Sequence, residues 1–188
     1  MEEKLKQRPS DCIKVVLFGP ESTGKSTLAK QLAEHYDTVF VPEYSRIYAE
    51  AQLLRQKLLI KNDVLHIAEG QMRLENELTS KANTVLICDT DLLETKVYSE
   101  AYYGGVCDPV LEKYAVENIY DLYFLTYIDI PWEADNLRDK PHEREAMFAA
   151  FENTLKGYDK PYVLLKGTME ERLKFAIAQI DELIKNKT

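Results

Sequence analysis

The chain has 188 residues, with 24 Lys and Arg against 32 Asp and Glu and a formal net charge of −8. This length favours one compact domain, and 45% hydrophobic residues with 7 Gly and 7 Pro argue against disordered, collagen-like and low-complexity classes. An acidic chain also lacks the broad basic surface that duplex nucleic-acid binding needs. We therefore expect an ordinary globular domain with no nucleic-acid partner.

The N-terminus and the cysteines bear on the cellular compartment. Residues 1–12 form a polar lead without the apolar run of a signal peptide, and no segment reaches the roughly 18 consecutive apolar residues of a membrane helix. Cys12, Cys88 and Cys107 lie far apart and show neither a disulfide framework nor zinc-site spacing. These features predict a cytoplasmic protein without a membrane partner, and they leave its oligomeric state open.

Apolar runs and helical periodicity alternate along the first half of the chain. Residues 13–18 read IKVVLF and end at Gly19-Pro20, which predicts a buried strand followed by a loop. A helix over 25–36, a short strand over 38–41 and helices near 44–55 and 63–80 follow. The next run, 84–88, is unbroken, as in a parallel strand covered on both faces, and it stops at Asp89.

The second half continues the alternation. Helices are predicted over 92–103 and from Pro109, a strand over 122–126, a helix over 145–155, a strand over 162–165 and a last helix after Thr168. Thr168 and Glu171 have the spacing of a capping box. Residues 13–188 are therefore predicted to form one α/β domain, with a five-stranded, mainly parallel sheet, helices on both faces and ligands at the carboxyl ends of the strands.

The loop after the first strand carries a phosphate-binding motif. Residues 19–26 read GPESTGKS and match G-x-x-x-x-G-K-[ST] at every fixed position. Backbone N–H groups of such a loop face phosphate, the lysine reaches the outer phosphates, and the last hydroxyl binds Mg²⁺. We expect a nucleoside triphosphate at Gly19, Glu21, Ser22, Thr23, Gly24, Lys25, Ser26 and Thr27. The D-x-x-G and N-K-x-D motifs of a guanine-specific switch are missing from the sequence.

Three carboxylates near strand ends are candidates for chemistry. Glu43, just past the second strand, is the first candidate to accept or orient the proton of an acceptor hydroxyl, the alternative being a solvated residue at a helix N-terminus. Asp89 ends the third strand and is expected to hold the water shell of Mg²⁺. Asp91 is either a second active-site acid or the N-cap of the next helix.

A charged segment separates the fourth and fifth strands. Residues 131–147, which we call the lid, include Arg138, Lys140 and Arg144. A lid that closes over a nucleotide excludes water and brings Arg138 and Arg144 to the moving phosphoryl group. The alternative for Arg144 is a salt bridge with nearby glutamates on a solvated helix.

Several segments together resemble the ribosylnicotinamide kinase domain of bacterial NadR-type NAD-salvage proteins, over residues 13–180. They are GPESTGKSTLAKQL, VPEYSRIYAE, GQMRLE, ICDTDLLETKVYSEAYYG, YDLYFLTYIDIPWEADNLRDKPHEREAMFAAFENTL and PYVLLKG. The resemblance implies a P-loop nucleoside or nucleotide kinase-like fold and transfer of the ATP γ-phosphate to the 5′-hydroxyl of nicotinamide riboside, which makes nicotinamide mononucleotide.

The resemblance also assigns site residues. It implies ATP phosphates at residues 19–27, Mg²⁺ in front of Asp89 and a lid that includes Arg138 and Arg144. The residues expected on the acceptor side are Glu43, Tyr44, Arg46, Asp89 or Asp91, and Trp132. A cationic pyridinium ring suits an acidic and aromatic pocket, because ring faces and carboxylates both attract a cation.

The chain departs from the longer members of that family. They add a nucleotidyltransferase with H-x-G-H and, in some, a DNA-binding helix-turn-helix, whereas this chain has 12 residues before the first strand and no H-x-G-H. Adenylyltransferase and repressor functions are therefore not expected. Two alternatives stay open: a kinase for another nucleoside or a nucleotide, and a non-catalytic ATP-binding regulatory module.

Overall fold

The computed structural model describes residues 2–134, 137 and 142–187. Within these residues, five strands form one sheet in which every pair is parallel. The strands are β1 Ile13–Phe18, β2 Phe40–Val41, β3 Val85–Asp89, β4 Leu122–Thr126 and β5 Tyr162–Leu165, in the order β2-β3-β1-β4-β5. The helices of the described residues are α1 Glu2–Leu5, α2 Lys25–His35, α3 Tyr44–Leu54, α4 Asp63–Thr79, α5 Leu92–Tyr102, α6 Pro109–Glu117, α7 Arg144–Gly157 and α8 Met169–Lys187. The predicted α/β fold is confirmed.

The strand order sets the geometry of the carboxyl edge of the sheet. β3 lies directly beside β1, and the register pairs Leu17 with Asp89. β4 lies on the other side of β1 and pairs Phe18 with Leu125. The loop that follows β1 therefore lies between Asp89 and the end of β4.

The side chains of β1 point alternately to the two faces of the sheet and pack into two separate core layers. Val15 and Leu17 pack with apolar residues of α2 and α8, whereas Val16 and Phe18 pack with α4, α5, α6 and α7. Successive side chains of a strand point to opposite faces, so a strand with all six residues buried must be covered on both sides. The unbroken apolar pattern of the sequence has this cause.

β2 is shorter than the sequence pattern predicts, whereas the start of α8 has the predicted capping box. β2 covers 40–41 and not the predicted 38–41, because the Thr38 hydroxyl donates to Val85 O at 2.8 Å and accepts from Asn83 N at 2.9 Å. A side chain thus replaces backbone pairing at this edge. The capping box is present: Thr168 N donates to Glu171 Oε2 at 2.8 Å, and Glu171 N donates to Thr168 Oγ1 at 3.3 Å.

The polar lead packs against the fold. Leu5 of α1 is fully buried, and Gln7 donates to Glu75 Oε1 at 2.8 Å. Glu75 also accepts from Lys14 Nζ at 2.9 Å and from the Tyr120 hydroxyl at 2.7 Å, so the lead joins a buried polar network of α4 and the sheet. None of the described helices combines the length and apolar character needed to cross a membrane.

Candidate active site

The phosphate-binding loop joins β1 to α2 and is held tightly against β4. Gly19 and Gly24 have φ angles of 140° and 83°, which side-chain-bearing residues rarely adopt. A Cβ atom on Gly19 would lie 2.6 Å from Thr126 Oγ1. The hydroxyls of Thr23 and Thr126 share a hydrogen bond of 2.7 Å, so the loop is fixed to the end of the strand.

Lys25 begins α2 with its ammonium group buried inside the loop. It donates to Gly19 O at 2.6 Å and to Pro20 O at 3.0 Å, and it lies 3.3 Å from Glu94 Oε1. Burial lowers the pKa of Lys25, but the surrounding carboxylates outweigh burial and raise it. The lysine is therefore charged at neutral pH.

Glu94 is a site residue that the sequence analysis missed. Its side chain, 3% exposed, accepts from Gly19 N at 3.4 Å, and its Oε1 lies 3.3 Å from Lys25 Nζ. Burial raises the pKa of Glu94 to about 8, against the attraction of Lys25. In the sequence, Glu94 looks like an ordinary acidic residue in the first turn of a helix. The available signal was its position one turn after Asp91 and close behind Asp89.

Asp89 and Ser26 lie together beneath the loop. Asp89 is 2% exposed, and burial, followed by repulsion from Glu43, raises the pKa of its carboxyl to about 6. The Ser26 hydroxyl hydrogen-bonds to this carboxyl and favours its charged form. Among the described residues, Asp89 Oδ1 has no hydrogen-bond partner although it is buried.

This pair of oxygen donors fits Mg²⁺. The ion prefers carboxylate and hydroxyl oxygens, keeps several waters and is usually held by one or two protein groups together with phosphate. Within the described part of the chain, no cluster of three or more His, Cys, Asp or Glu side chains could hold a metal alone. Ser26 and Asp89 are therefore the residues that would hold the ion beside a bound triphosphate.

Glu43 and Arg46 of the α3 region line a cavity that extends from the phosphate-binding loop. Glu43 occupies the N-cap position of α3, but its carboxylate accepts from the Ser45 hydroxyl at 2.5 Å and not from a backbone N–H. Its charge acts on Lys25, Asp89 and Glu94, so these four groups form one electrostatic cluster. Arg46 lies 3.9 Å from Glu50 one turn further along the helix.

Tyr44 and Asp91, both predicted on the acceptor side, do not line this cavity. The Tyr44 ring packs against α4, where a Cβ atom on Gly70 would lie 1.9 Å from the ring, and Tyr44 N donates to Gln71 at 2.8 Å. Tyr44 is therefore not part of the cavity wall. The two Asp91 oxygens accept from Glu94 N at 2.9 Å and from the Tyr123 hydroxyl at 2.8 Å. Burial raises the Asp91 pKa to about 7, and the contacts favour the N-cap alternative.

The described part of the lid packs on the phosphate-binding loop. Arg144 donates to Ser22 O at 3.2 Å and to Ile130 O at 3.0 Å, and its guanidinium lies 5.7 Å from the centroid of the Trp132 ring. Trp132 thus contacts Arg144. Arg138 and Lys140 lie outside the described residues, so their predicted places in the lid stay predictions.

A cavity of about 640 Å³ extends from the loop to α3, α4 and α5. Residues 21–27, Glu43 and Arg46 line it among the predicted site residues, and Glu94 joins them. Part of its lining is aromatic and aliphatic, formed by Tyr98, Tyr102, Tyr103, Leu53, Leu58 and Ile60. This volume exceeds what the phosphates need, which leaves room for a second small molecule beside them.

The sequence of the chain is similar to those of known proteins. The model of the AAA domain family matches residues 14–172. The NadR trifunctional NAD biosynthesis/regulator proteins of Escherichia coli (strain K12) and Salmonella typhimurium (strain LT2) are each 33% identical over 125 residues, 66% of this chain and 30% of theirs. The chain therefore spans less than a third of these relatives, and the predicted resemblance to NadR is confirmed.

Solved structures share the fold at lower identity. NadR in complex with NR superposes with a TM-score of 0.78 at 24% identity, over 92% of this chain and 51% of that one. Deoxyadenosine kinase from M. mycoides, with its products, superposes with a TM-score of 0.67 at 14% identity, over 90% of this chain and all of that one. Both have the same arrangement of sheet and helices as this chain.

Proposed function

Because the chain belongs to the AAA domain family and carries a complete phosphate-binding loop, we propose that it is an ATP-dependent nicotinamide riboside kinase. The reaction transfers the γ-phosphoryl group of ATP to the 5′-hydroxyl of nicotinamide riboside and forms nicotinamide mononucleotide and ADP. The observation that carries this proposal is the cavity that joins the loop to an acidic and aromatic compartment.

The nucleotide half of the proposal rests on charge and orientation. The N-terminus of α2 and the charged Lys25 face the region where the triphosphate would lie. Phosphoryl transfer needs little covalent chemistry from the protein, so fixed positive groups supply most of its contribution. A bound Mg²⁺ would neutralise charge on the phosphates, and Ser26 and Asp89 would hold it.

The acceptor half rests on Glu43. This carboxylate is half-buried, lines the cavity and belongs to the same charge cluster as Lys25. In our proposal it accepts the proton of the 5′-hydroxyl while the hydroxyl oxygen bonds to the γ-phosphorus and the bond to the departing ADP breaks. Arg144, which already contacts Ser22 O, and Arg138 of the lid would neutralise the moving phosphoryl group.

The choice of nicotinamide riboside follows from the wall chemistry. Glu43 and Glu94 line the cavity beside Lys25, and Tyr98, Tyr102 and Tyr103 add ring surface to its wall. Carboxylates and ring faces both attract a cation, and the pyridinium ring of nicotinamide riboside carries a positive charge. The relative of known structure that binds NR supports the same choice.

The test measures ADP release by the purified protein with Mg-ATP. Nicotinamide riboside is compared with cytidine, uridine, adenosine, thymidine and the nucleoside monophosphates at equal concentration, and the product is identified by mass. We expect selective stimulation by nicotinamide riboside, with nicotinamide mononucleotide formed. Equal rates with all nucleosides would refute the assigned acceptor. No stimulation by any acceptor would favour a regulatory ATP-binding module.

A nucleotide acceptor is the second candidate. Arg46 and Lys57 also line the cavity. Cations in that position could bind the phosphate of a nucleoside monophosphate. The same assay separates the two candidates, because a nucleotide kinase would respond to a monophosphate and not to nicotinamide riboside.

A further inference from the structure

Arg172 of α8 is a buried cation whose contacts meet beneath the phosphate-binding loop. Its side chain is fully buried, with 1% of the whole residue exposed. The guanidinium donates to Thr23 O at 2.8 Å, to Tyr127 O at 2.9 Å and to Gly167 O at 3.1 Å. It also pairs with the carboxylate of Asp129.

These acceptors belong to three separate loops at the carboxyl edge of the sheet. Thr23 lies in the phosphate-binding loop, Tyr127 and Asp129 lie between β4 and the lid, and Gly167 lies between β5 and α8. Asp129 Oδ2 also accepts from Gly167 N at 2.7 Å. Hydrogen bonds from Gly167 and Arg172 hold the Asp129 pKa below its usual range despite partial burial. The pair is thus fully charged at neutral pH.

The contact with Thr23 orients the loop. In a trans peptide the carbonyl and the following N–H point in opposite directions, and the peptide unit is planar. Because Thr23 O points at Arg172 in the interior, the N–H of Gly24 points away from it, towards the open side of the loop. Gly24 is the N-cap residue of α2, and Gly24 and the first residues of this helix line the cavity.

We propose that Arg172 is a positioning residue for ATP, which fixes the phosphate-binding loop, the root of the lid and the β5–α8 loop relative to one another. The inference rests on the ATP-binding half of the proposed function and not on the identity of the acceptor. Lysine cannot replace this arginine fully, because a guanidinium presents five donors in a fixed plane and an ammonium presents three around a point.

The test compares Arg172→Met and Arg172→Lys with the wild-type chain. Mg-ATP binding is measured by calorimetry without acceptor, and KM and kcat are measured with the acceptor that the wild type uses. Lys160→Met is the matched control, because Lys160 also donates to two backbone carbonyls, Val116 O at 2.7 Å and Asn118 O at 3.0 Å, away from the cavity.

We expect Arg172→Met to weaken ATP binding by about 10-fold or more and Arg172→Lys to recover part of that loss. KM for ATP should rise while KM for the acceptor stays unchanged, and the control should bind ATP like the wild type. A purely structural role would lower the active fraction, and hence kcat, without changing KM for ATP. Folded Arg172→Met with wild-type ATP affinity would overturn the proposal.

A further variant decides the matter if Arg172→Met does not fold. Asp129→Asn removes the charge that holds the guanidinium but keeps an oxygen acceptor, and the Asp129 side chain is 30% exposed. We expect weaker ATP binding in this variant, in the same direction as in Arg172→Lys. Wild-type affinity in both would overturn the proposal. Wild-type protein that binds ATP without phosphorylating nicotinamide riboside would refute the assigned acceptor and leave the role of Arg172 intact.

Discussion

The substitution Glu94→Gln tests whether burial governs protonation in the active site. Burial raises the pKa of Glu94 to about 8, from an ordinary value of 4.5, even though Lys25 is 3.3 Å away. Between these two values the folded protein keeps a proton that the unfolded chain has released. The contribution of Glu94 to the free energy of unfolding therefore falls as pH rises from about 4.5 to about 8. The amide of the Glu94→Gln variant binds no proton, so this part of the pH dependence disappears in the variant.

The size of the effect follows from the two pKa values. A carboxyl with a pKa of 4.5 in the unfolded chain and about 8 in the folded protein loses about 2 kcal/mol of stabilisation between about pH 6 and about pH 8. Asp89 and Asp91 also have raised pKa values, to about 6 and about 7. These two groups make the wild type and the Glu94→Gln variant alike less stable as pH rises. The diagnostic quantity is the difference between the two slopes.

The assay is urea unfolding of the ligand-free protein at several pH values between about 6 and about 8. We expect the wild type to lose about 2 kcal/mol more than Glu94→Gln over this range. Glu182→Gln is the matched control, since it makes the same substitution at an exposed position on α8 and should keep the wild-type slope. Equal slopes for wild type and Glu94→Gln would show that Glu94 is already ionised in the folded protein and refute the reasoning.

Three further substitutions test the assigned roles. Lys25→Ala should remove most ATP binding, measured by calorimetry, and near-normal turnover would contradict the role of the phosphate-binding loop. Glu43→Gln should lower kcat by about 10²- to 10⁴-fold with ATP affinity unchanged, and a variant with normal turnover would exclude Glu43 as the base. Asp91→Ala should cost about 1 to 2 kcal/mol in urea unfolding through loss of the N-cap while kcat is kept. A folded Asp91→Ala protein with a large loss of kcat would instead favour the catalytic alternative.

The sheet and the phosphate-binding loop were predictable because their signals are local. An unbroken apolar run such as 84–88 is typical of a strand covered on both faces, and GPESTGKS is expected between a strand and a helix. The ends of elements were less predictable where a side chain replaced a backbone partner, as Thr38 does beside β2. The burial of Leu5 was also missed, because one apolar residue in a charged lead has no periodicity.

The residues that surround the loop were harder to predict because their roles depend on tertiary contacts. Glu94 and Arg172 both resemble ordinary charged residues on helix faces, and only packing shows that each is buried against the loop. Tyr44, predicted on the acceptor side, is not among the residues that line the cavity. It is adjacent in sequence to Glu43, but Glu43 is the extended N-cap residue and Tyr44 is the first residue of α3, and the Tyr44 ring packs on Gly70.

The charges around Lys25 connect the raised pKa values of the site with the ligands of the proposed reaction. Lys25 lies among Glu43, Asp89 and Glu94, so the carboxylates outnumber the cation they surround. Loss of water on burial and then repulsion among the carboxylates raise the pKa values of Asp89 and Glu94, because a buried site with excess negative charge retains protons. A cationic ring in the acceptor compartment and a divalent ion beside Asp89 would each reduce the same repulsion. The acidity that opposes an anionic triphosphate therefore favours the two positive ligands that the proposed reaction requires.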